Sequence, residues 1–203
     1  EGGVIPADQE WVKALEKKCQ SEGILLMIDE IQTGIGRTGT LFAYEQYGIE
    51  PDVITLAKGL GSGFPIGALL AKEEAAKGFE PGSHGSTFGG NPLATTAGLA
   101  TLEAIENNAI LEKAKTNAIY LKKKLEELKD EFPELISIVR GKGLLQGLVT
   151  TVEAIEVVNK ARAHHLLVLV AGPHVVRILP PLTTNQSEID AFILILEDVF
   201  KEF

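Results

Sequence analysis

The sequence predicts an α/β fold, a mostly parallel sheet with helices around it, followed by a smaller α+β domain. Three short continuous apolar runs carry the prediction. Residues 24–28, Val53–Leu56 and Ala68–Ala71 are each bounded by Gly, Pro or Asp, as strands buried on both faces of a parallel sheet are. Helical periodicities and glycine loops separate them. Past residue 107 the pattern turns to shorter segments around one long amphipathic stretch, which divides the chain into domains 1–107 and 108–203. No internal repeat or low-complexity tract interrupts either part.

Residues 6–21 predict a helix, with Trp11, Leu15 and Cys19 at spacing four, Val12 on the same face and Gly23 as the break. The strand of residues 24–28 then runs into Asp29 and Glu30, and the strand Val53–Leu56 runs into Lys58. Asn91-Pro92 supplies an N-cap and a proline for the first helical position of a helix reaching Asn107. Asn108 is placed to cap the next helix, whose stripe of Leu111, Ala114, Ala118, Leu121, Leu125 and Leu128 stops near Pro133. Strands at 136–140 and 144–149, a helix at 152–165 and strands at 166–170 and 175–179 follow. The last helix is expected to start at Ser187, with an acid three residues on as in a capping box.

Composition narrows the function. With 203 residues, 45% hydrophobic and 23% charged, the chain is ordinary for a soluble globular protein. A formal net charge of -9 argues against nucleic acid or an anionic membrane as partner, because phosphates are bound by clustered Lys and Arg. The basic run at 122–124 sits among Glu126, Glu127 and Asp130 and fits a solvated helix face. A single cysteine, Cys19, fits a reducing compartment and a packing role. No run approaches the ~18 apolar residues of a membrane span, and no signal peptide pattern opens the chain, so a cytoplasmic location is expected. The first residues, Glu1-Gly2-Gly3, have no initiator Met and suggest the interior of a longer protein.

The stretch MIDEIQTGIGRTG, residues 27–39, ends an apolar strand in two acids. Alone it fits the metal-binding strand of a P-loop nucleotidase, a ligand site, or acids that simply face solvent. No GxxxxGK[ST] occurs, and Gly141-Lys142-Gly143 lacks the hydroxyl that should follow, which weighs against the nucleotidase. Lys58 adds the deciding group. At the end of an apolar strand a buried lysine should have its pKa lowered by desolvation and become a nucleophile. Gly59, Gly61 and Gly63 would let the backbone approach a bulky ligand. In an open α/β sheet, ligands lie outside the carboxyl ends of strands, where Asp29 and Lys58 both fall. A carboxylate and an activated lysine at one site are the two groups that pyridoxal phosphate requires, Asp29 for the pyridine nitrogen and Lys58 for the covalent link. Gln32 is placed to reach the phenolic oxygen.

These segments, with PDVITLAKGLGSGFPIGA, HGSTFGGNP, GKGLLQG and VVRILPPLT, make the chain resemble the class III aminotransferases of fold type I, most closely the acetylornithine aminotransferases. The resemblance implies the C-terminal part of the large pyridoxal-phosphate domain followed by the small C-terminal domain. Lys58 then matches the Schiff-base lysine, and Asp29, Glu30, Ile31 and Gln32 match the cofactor-binding run. Thr87 matches a hydroxyl that reaches the cofactor phosphate of the other subunit in a homodimer, and Ser86 a substrate contact. Arg177 matches the arginine for a substrate carboxylate, and Glu1 the acid that can pair with it. No metal is implied. The substrates implied are an amino acid and a 2-oxo acid, with ornithine and 4-aminobutyrate as alternative amino donors. Such enzymes carry an upstream segment with the phosphate-binding Gly-Thr pair, a stacking aromatic and a further arginine. A chain without them is expected to be a fragment, and an inactive one is among the alternatives. The connection between Gly147 and Glu153 is also shorter than the family's usual one.

Overall fold

The computed structural model describes residues 2–203, and Glu1 lies outside them. Two compact units are formed, one of Ala7–Ile110 and one in which residues 2–6 join Leu111–Phe203.

In the first unit, α1 (Gln9–Glu22) starts where the Asp8 carboxylate accepts the Trp11 N–H at 2.8 Å, and it stops at Gly23 in the left-handed conformation. The buried side of α1 is Val12 and Cys19, packed with Leu26 and Ile49. Trp11 is 60% exposed, so the spacing-four row does not define the buried face. Cys19 packs, as its apolar surroundings dictate.

The sheet has the order β1-β2-β3, from β1 (Met27–Asp29), β2 (Val53–Leu56) and β3 (Ala68–Ala71). β1 and β2 are parallel, with Asp29 opposite Thr55, whereas β3 runs antiparallel to β2. The expectation of a mostly parallel sheet is therefore corrected at β3. The chain from Ala57 to Gly67 is too short for the helical crossover that a parallel partner needs. Only β2 is enclosed on both faces. Ile24, Leu25 and Met27 at one edge, and Leu69 and Leu70 at the other, are about half exposed, because each edge strand has one neighbour among the described residues. The strand expected from residue 24 begins at Met27.

After a single helical turn, α2 (Glu73–Ala76), the long helix α3 (Pro92–Asn107) follows the predicted signal: Asn91 accepts the Ala94 N–H at 3.0 Å and Pro92 is the first helical residue. Asn108 terminates α3 instead of opening the next helix; its side chain donates to the Ala104 carbonyl at 2.9 Å.

The second unit is a two-layer α+β structure. Its elements are α4 (Ile110–Glu131), β4 (Ile136–Lys142), β5 (Leu145–Thr150), α5 (Ala154–Ala163), β6 (Leu169–Val170), β7 (Val175–Ile178) and α6 (Gln186–Phe200). The sheet order is β4-β5-β7-β6, antiparallel throughout. Val139, Leu148 and Val176 form a cross-strand row that meets Leu121, Leu125, Val157 and Leu196 of the three helices in one core. The predicted leucine stripe of α4 is that buried face. The capping box of α6 lies two residues earlier than expected. Asn185 accepts the Glu188 N–H at 3.0 Å while Glu188 accepts the Asn185 N–H at 2.9 Å, and the Ser187 hydroxyl donates to Asn185. No helix among the described residues is long and apolar enough to cross a membrane.

Because Leu125 is fully buried, Leu125→Ala should lower the stability to chemical denaturation by about 2–5 kcal/mol with the denaturant slope unchanged. Leu167, 84% exposed, serves as the control: its alanine variant should stay within about 0.5 kcal/mol.

Candidate active site

The end of β1 is built by opposed roles for two adjacent acids. Strand alternation sends Asp29 and Glu30 to opposite sides. Glu30 is 1% exposed, and both carboxylate oxygens are engaged: one accepts the Thr33 hydroxyl, the other the Tyr44 N–H at 2.9 Å. A buried carboxylate is stable only with such partners, so Glu30 fastens the loop after β1 to the 3-10 turn Ala43–Tyr47. The same loop is tied further by Gln46, whose side-chain amide donates to the Thr38 carbonyl at 2.9 Å and to the Thr40 hydroxyl at 3.0 Å. Burial and the carboxylates of Glu45, Glu30 and Glu50 push the Tyr44 phenol up, and burial lowers the pKa of the Arg37 guanidinium.

Asp29 faces outward. Its Oδ1 accepts the Ile31 N–H at 2.9 Å and a long contact from the Thr55 hydroxyl at 3.5 Å. Oδ2 has no hydrogen-bond partner among the described residues and is open to a ligand. Ile31 and Gln32 are half-buried on the loop that follows.

Lys58 lies three residues past Thr55, the strand partner of Asp29, so the acid and the amine stand at the carboxyl ends of adjacent parallel strands. Its φ of 43° places it in the left-handed region at the start of the 3-10 turn Lys58–Gly61. That conformation costs a non-glycine residue about 1–2 kcal/mol, and such strain gathers at functional positions. Lys58 is exposed and makes no ion pair or hydrogen bond among the described residues. The burial expected to activate it is thus not supplied by the described residues, which enclose β2 up to Leu56 and leave Lys58 exposed. Of the glycines expected to admit a ligand, Gly61 has a packing reason: a Cβ there would stand 2.7 Å from Ile66 Cγ2.

The loop at 80–90 is exposed and without helix or strand. In it the Ser86 hydroxyl accepts the Gly89 N–H at 2.9 Å, shaping the turn into α3, while Thr87 is exposed. Arg177 belongs to the second unit, where it is 8% exposed in β7, and with Leu121, Leu166, Leu169, Ile189 and Phe192 it lines a cavity of ≈ 460 Å³. Glu1, expected as its partner, lies outside the described residues. Among the described residues no group of His, Cys, Asp and Glu could hold a metal ion. Glu30 was singled out by the sequence, but its partners Thr33 and Tyr44 and the contact of Thr55 with Asp29 were not; a threonine within the apolar run VITL is the one signal for Thr55.

An open carboxylate oxygen and an unpaired primary amine on neighbouring strand ends fit the donor set of a pyridoxal-phosphate enzyme. The family follows from comparison with known proteins. Residues 1–200 match the family described as aminotransferase class-III, and the chain belongs to that family. It is 54% identical over 202 residues to acetylornithine aminotransferase of Oceanobacillus iheyensis, covering 100% of this chain and 50% of that protein. With acetylornithine aminotransferase of Bacillus subtilis it shares 48% identity over 190 residues, 93% of this chain and 49% of that protein. Among solved structures, acetylornithine aminotransferase from Elizabethkingia anophelis superposes with a TM-score of 0.92 at 32% identity, covering 100% of this chain and 54% of that one. Ornithine delta-aminotransferase from Plasmodium falciparum gives 0.91 at 32% identity, with 98% and 53% covered. The chain spans about half the length of the curated relatives it matches.

Glu30→Ala would leave two donors in a buried site without their acceptor. It should cost about 1–3 kcal/mol for each donor and speed hydrogen exchange at the Tyr44 amide, read by amide-exchange mass spectrometry. Unchanged exchange at Tyr44 would contradict the fastening role.

Proposed function

We propose that this chain is the lysine-bearing part of a pyridoxal-phosphate-dependent acetylornithine aminotransferase. The reaction is transfer of the amino group of N2-acetylornithine to 2-oxoglutarate, giving N-acetylglutamate 5-semialdehyde and glutamate, a step of arginine biosynthesis. The observation that carries it is the pair Asp29 and Lys58 at the ends of adjacent parallel strands, and the identity to curated acetylornithine aminotransferases supports the substrate.

Bound pyridoxal phosphate would supply an electron sink for the charge left when a proton leaves the amine-bearing carbon of the substrate. Asp29 Oδ2 would hold a proton at the pyridine nitrogen, with Oδ1 already fixed by the Ile31 N–H. Lys58 Nζ would anchor the cofactor and, once displaced by the substrate amine, take the proton from that carbon and return it on the cofactor side. Gln32 would meet the phenolic oxygen and Ile31 the ring, while Glu30 acts through the loop it fastens. Ser86 would contact substrate, and Thr87 would reach the cofactor phosphate of the other subunit of a homodimer. Arg177 would hold a substrate carboxylate through its planar fork, with Glu1 as its alternative partner. The enzyme would work in the cytoplasm, consistent with its lone, packed cysteine.

Ornithine is the second reading for the amino donor, favoured by the likeness to ornithine delta-aminotransferase. A transamination assay on the parent-length protein with N-acetylornithine, ornithine and 4-aminobutyrate separates the donors, and N-acetylornithine should give the highest kcat/KM. Lys58→Ala should lower kcat by about 10²–10⁴-fold. A preference for ornithine would overturn the substrate, and a kcat in the Lys58 variant close to that of the unmutated enzyme would overturn the site. The same assay on the 203-residue chain alone tests whether this part turns over without the remainder.

A further inference from the structure

Arg140, Gly147, Arg177 and Leu169 stand in one row across β4, β5, β7 and β6. The adjacent row, Val139, Leu148 and Val176, enters the helical core, so alternation turns the arginine row to the opposite face. Arg140 and Arg177 are two strands apart, roughly 10 Å, and the residue between them has no side chain. On that face Gly3, buried, and Val4, half-buried, of the same unit pack against Arg140 and Gly147. Arg140 Nε donates to the Gly3 carbonyl at 2.7 Å, and a Cβ on Gly3 would lie 2.7 Å from Arg140 Nη2. Val4 fills the notch at Gly147, where a Cβ would stand 3.1 Å from Val4 Cβ and 3.2 Å from Val175 Cγ1.

The backbone shows that the segment is held tightly. Gly3 has φ 99° and Val4 φ 53°. A β-branched residue in the left-handed region persists only where its surroundings over-determine it. The surroundings here are the Arg140 hydrogen bond and the Gly147 notch.

We infer that Arg140 is a positioning residue: it latches residues 2–6 over the row that carries Arg177 and thereby sets how tightly Arg177 holds a substrate carboxylate. The inference rests on the proposed role of Arg177 as the carboxylate-binding group. Two physical effects connect the residues. Val4, held at Gly147, displaces water from the strand position next to Arg177, which strengthens a charge pair there, and the fixed guanidinium of Arg140 adds positive potential two strands away. Sequence alone gave Arg140 no role beyond a strand position.

The test is calorimetric titration of the full chain with glutarate, a dicarboxylate with neither amine nor keto group, below the melting temperature of every variant. Arg177→Ala should abolish binding. Arg140→Ala should raise the Kd about tenfold, the loss of one charge-assisted hydrogen bond that preorganises the site, and should speed amide exchange at Gly3 and Val4. Arg140→Lys, able to offer one donor to the Gly3 carbonyl, should recover part of the affinity. In the parent-length enzyme the same change should raise the KM for 2-oxoglutarate with kcat nearly unchanged. If Arg140→Ala does not fold, Gly3→Ala, whose methyl would strike the Arg140 guanidinium, carries the test with a severalfold rise in Kd. Wild-type affinity in folded Arg140→Ala, with Arg177→Ala inactive in binding, overturns the positioning role alone. Binding that survives Arg177→Ala, or no binding by the unmutated chain, overturns the role of Arg177 and the inference with it.

Discussion

The parallel pairing of β1 with β2 is the constraint on which the candidate site depends. Its register is pinned at the entry, where the Asp52 carboxylate accepts the Leu26 N–H at 2.8 Å and the Leu26 carbonyl accepts the Asp52 N–H at 2.8 Å. At the exit the Glu30 N–H donates to the Thr55 carbonyl at 3.0 Å, carrying the ladder one residue beyond Asp29. A slip of one residue would exchange the faces of Asp29 and Glu30. The outward carboxylate would then be buried without partners and the buried one would lose Thr33 and Tyr44. The two acids thus fix the register as much as the register places them, and Lys58 inherits its position from the same pairing.

Much of the fold was legible because periodicity and caps are local signals. The α3 boundaries followed from Asn91 and Pro92, and the buried stripe of α4 from its leucines. Caps were misplaced where several candidates stand close together: Asn185 outcompetes Ser187 because its carboxamide reaches the Glu188 N–H while Glu188 reaches back. Burial was misjudged at β1 and β3, whose apolar runs describe a sheet with neighbours on both edges, whereas each has one among the described residues. The exposure of Lys58 has the same origin. Chemistry was more legible than environment: residue type and strand-end position singled out Asp29 and Lys58, while the left-handed backbone of Lys58 and the partners of Glu30, Thr33 and Tyr44, emerge only from the folded structure.

The second unit shows why a lone arginine in a strand is hard to weigh from sequence. VVRILPP alone suits a surface ion pair, yet Arg177 is 8% exposed in the middle of a cross-strand row. The register that aligns it with Gly147 and Arg140 joins residues scattered over three strands, and Gly3 and Val4, distant in the chain, pack on that row at Arg140 and Gly147. A glycine within an apolar strand hints at close approach, but the approaching partner, Val4, is visible only in three dimensions.

The central claim is that Lys58 and Asp29 form one organised cofactor site, and covalent trapping tests it most directly. The chain is incubated with pyridoxal phosphate, reduced with borohydride, digested, and the added mass is located by peptide mass spectrometry. The account predicts that the label concentrates on Lys58 and that Asp29→Asn weakens the labelling. Label spread evenly over the exposed lysines, or labelling of Lys58 indifferent to Asp29, would contradict it.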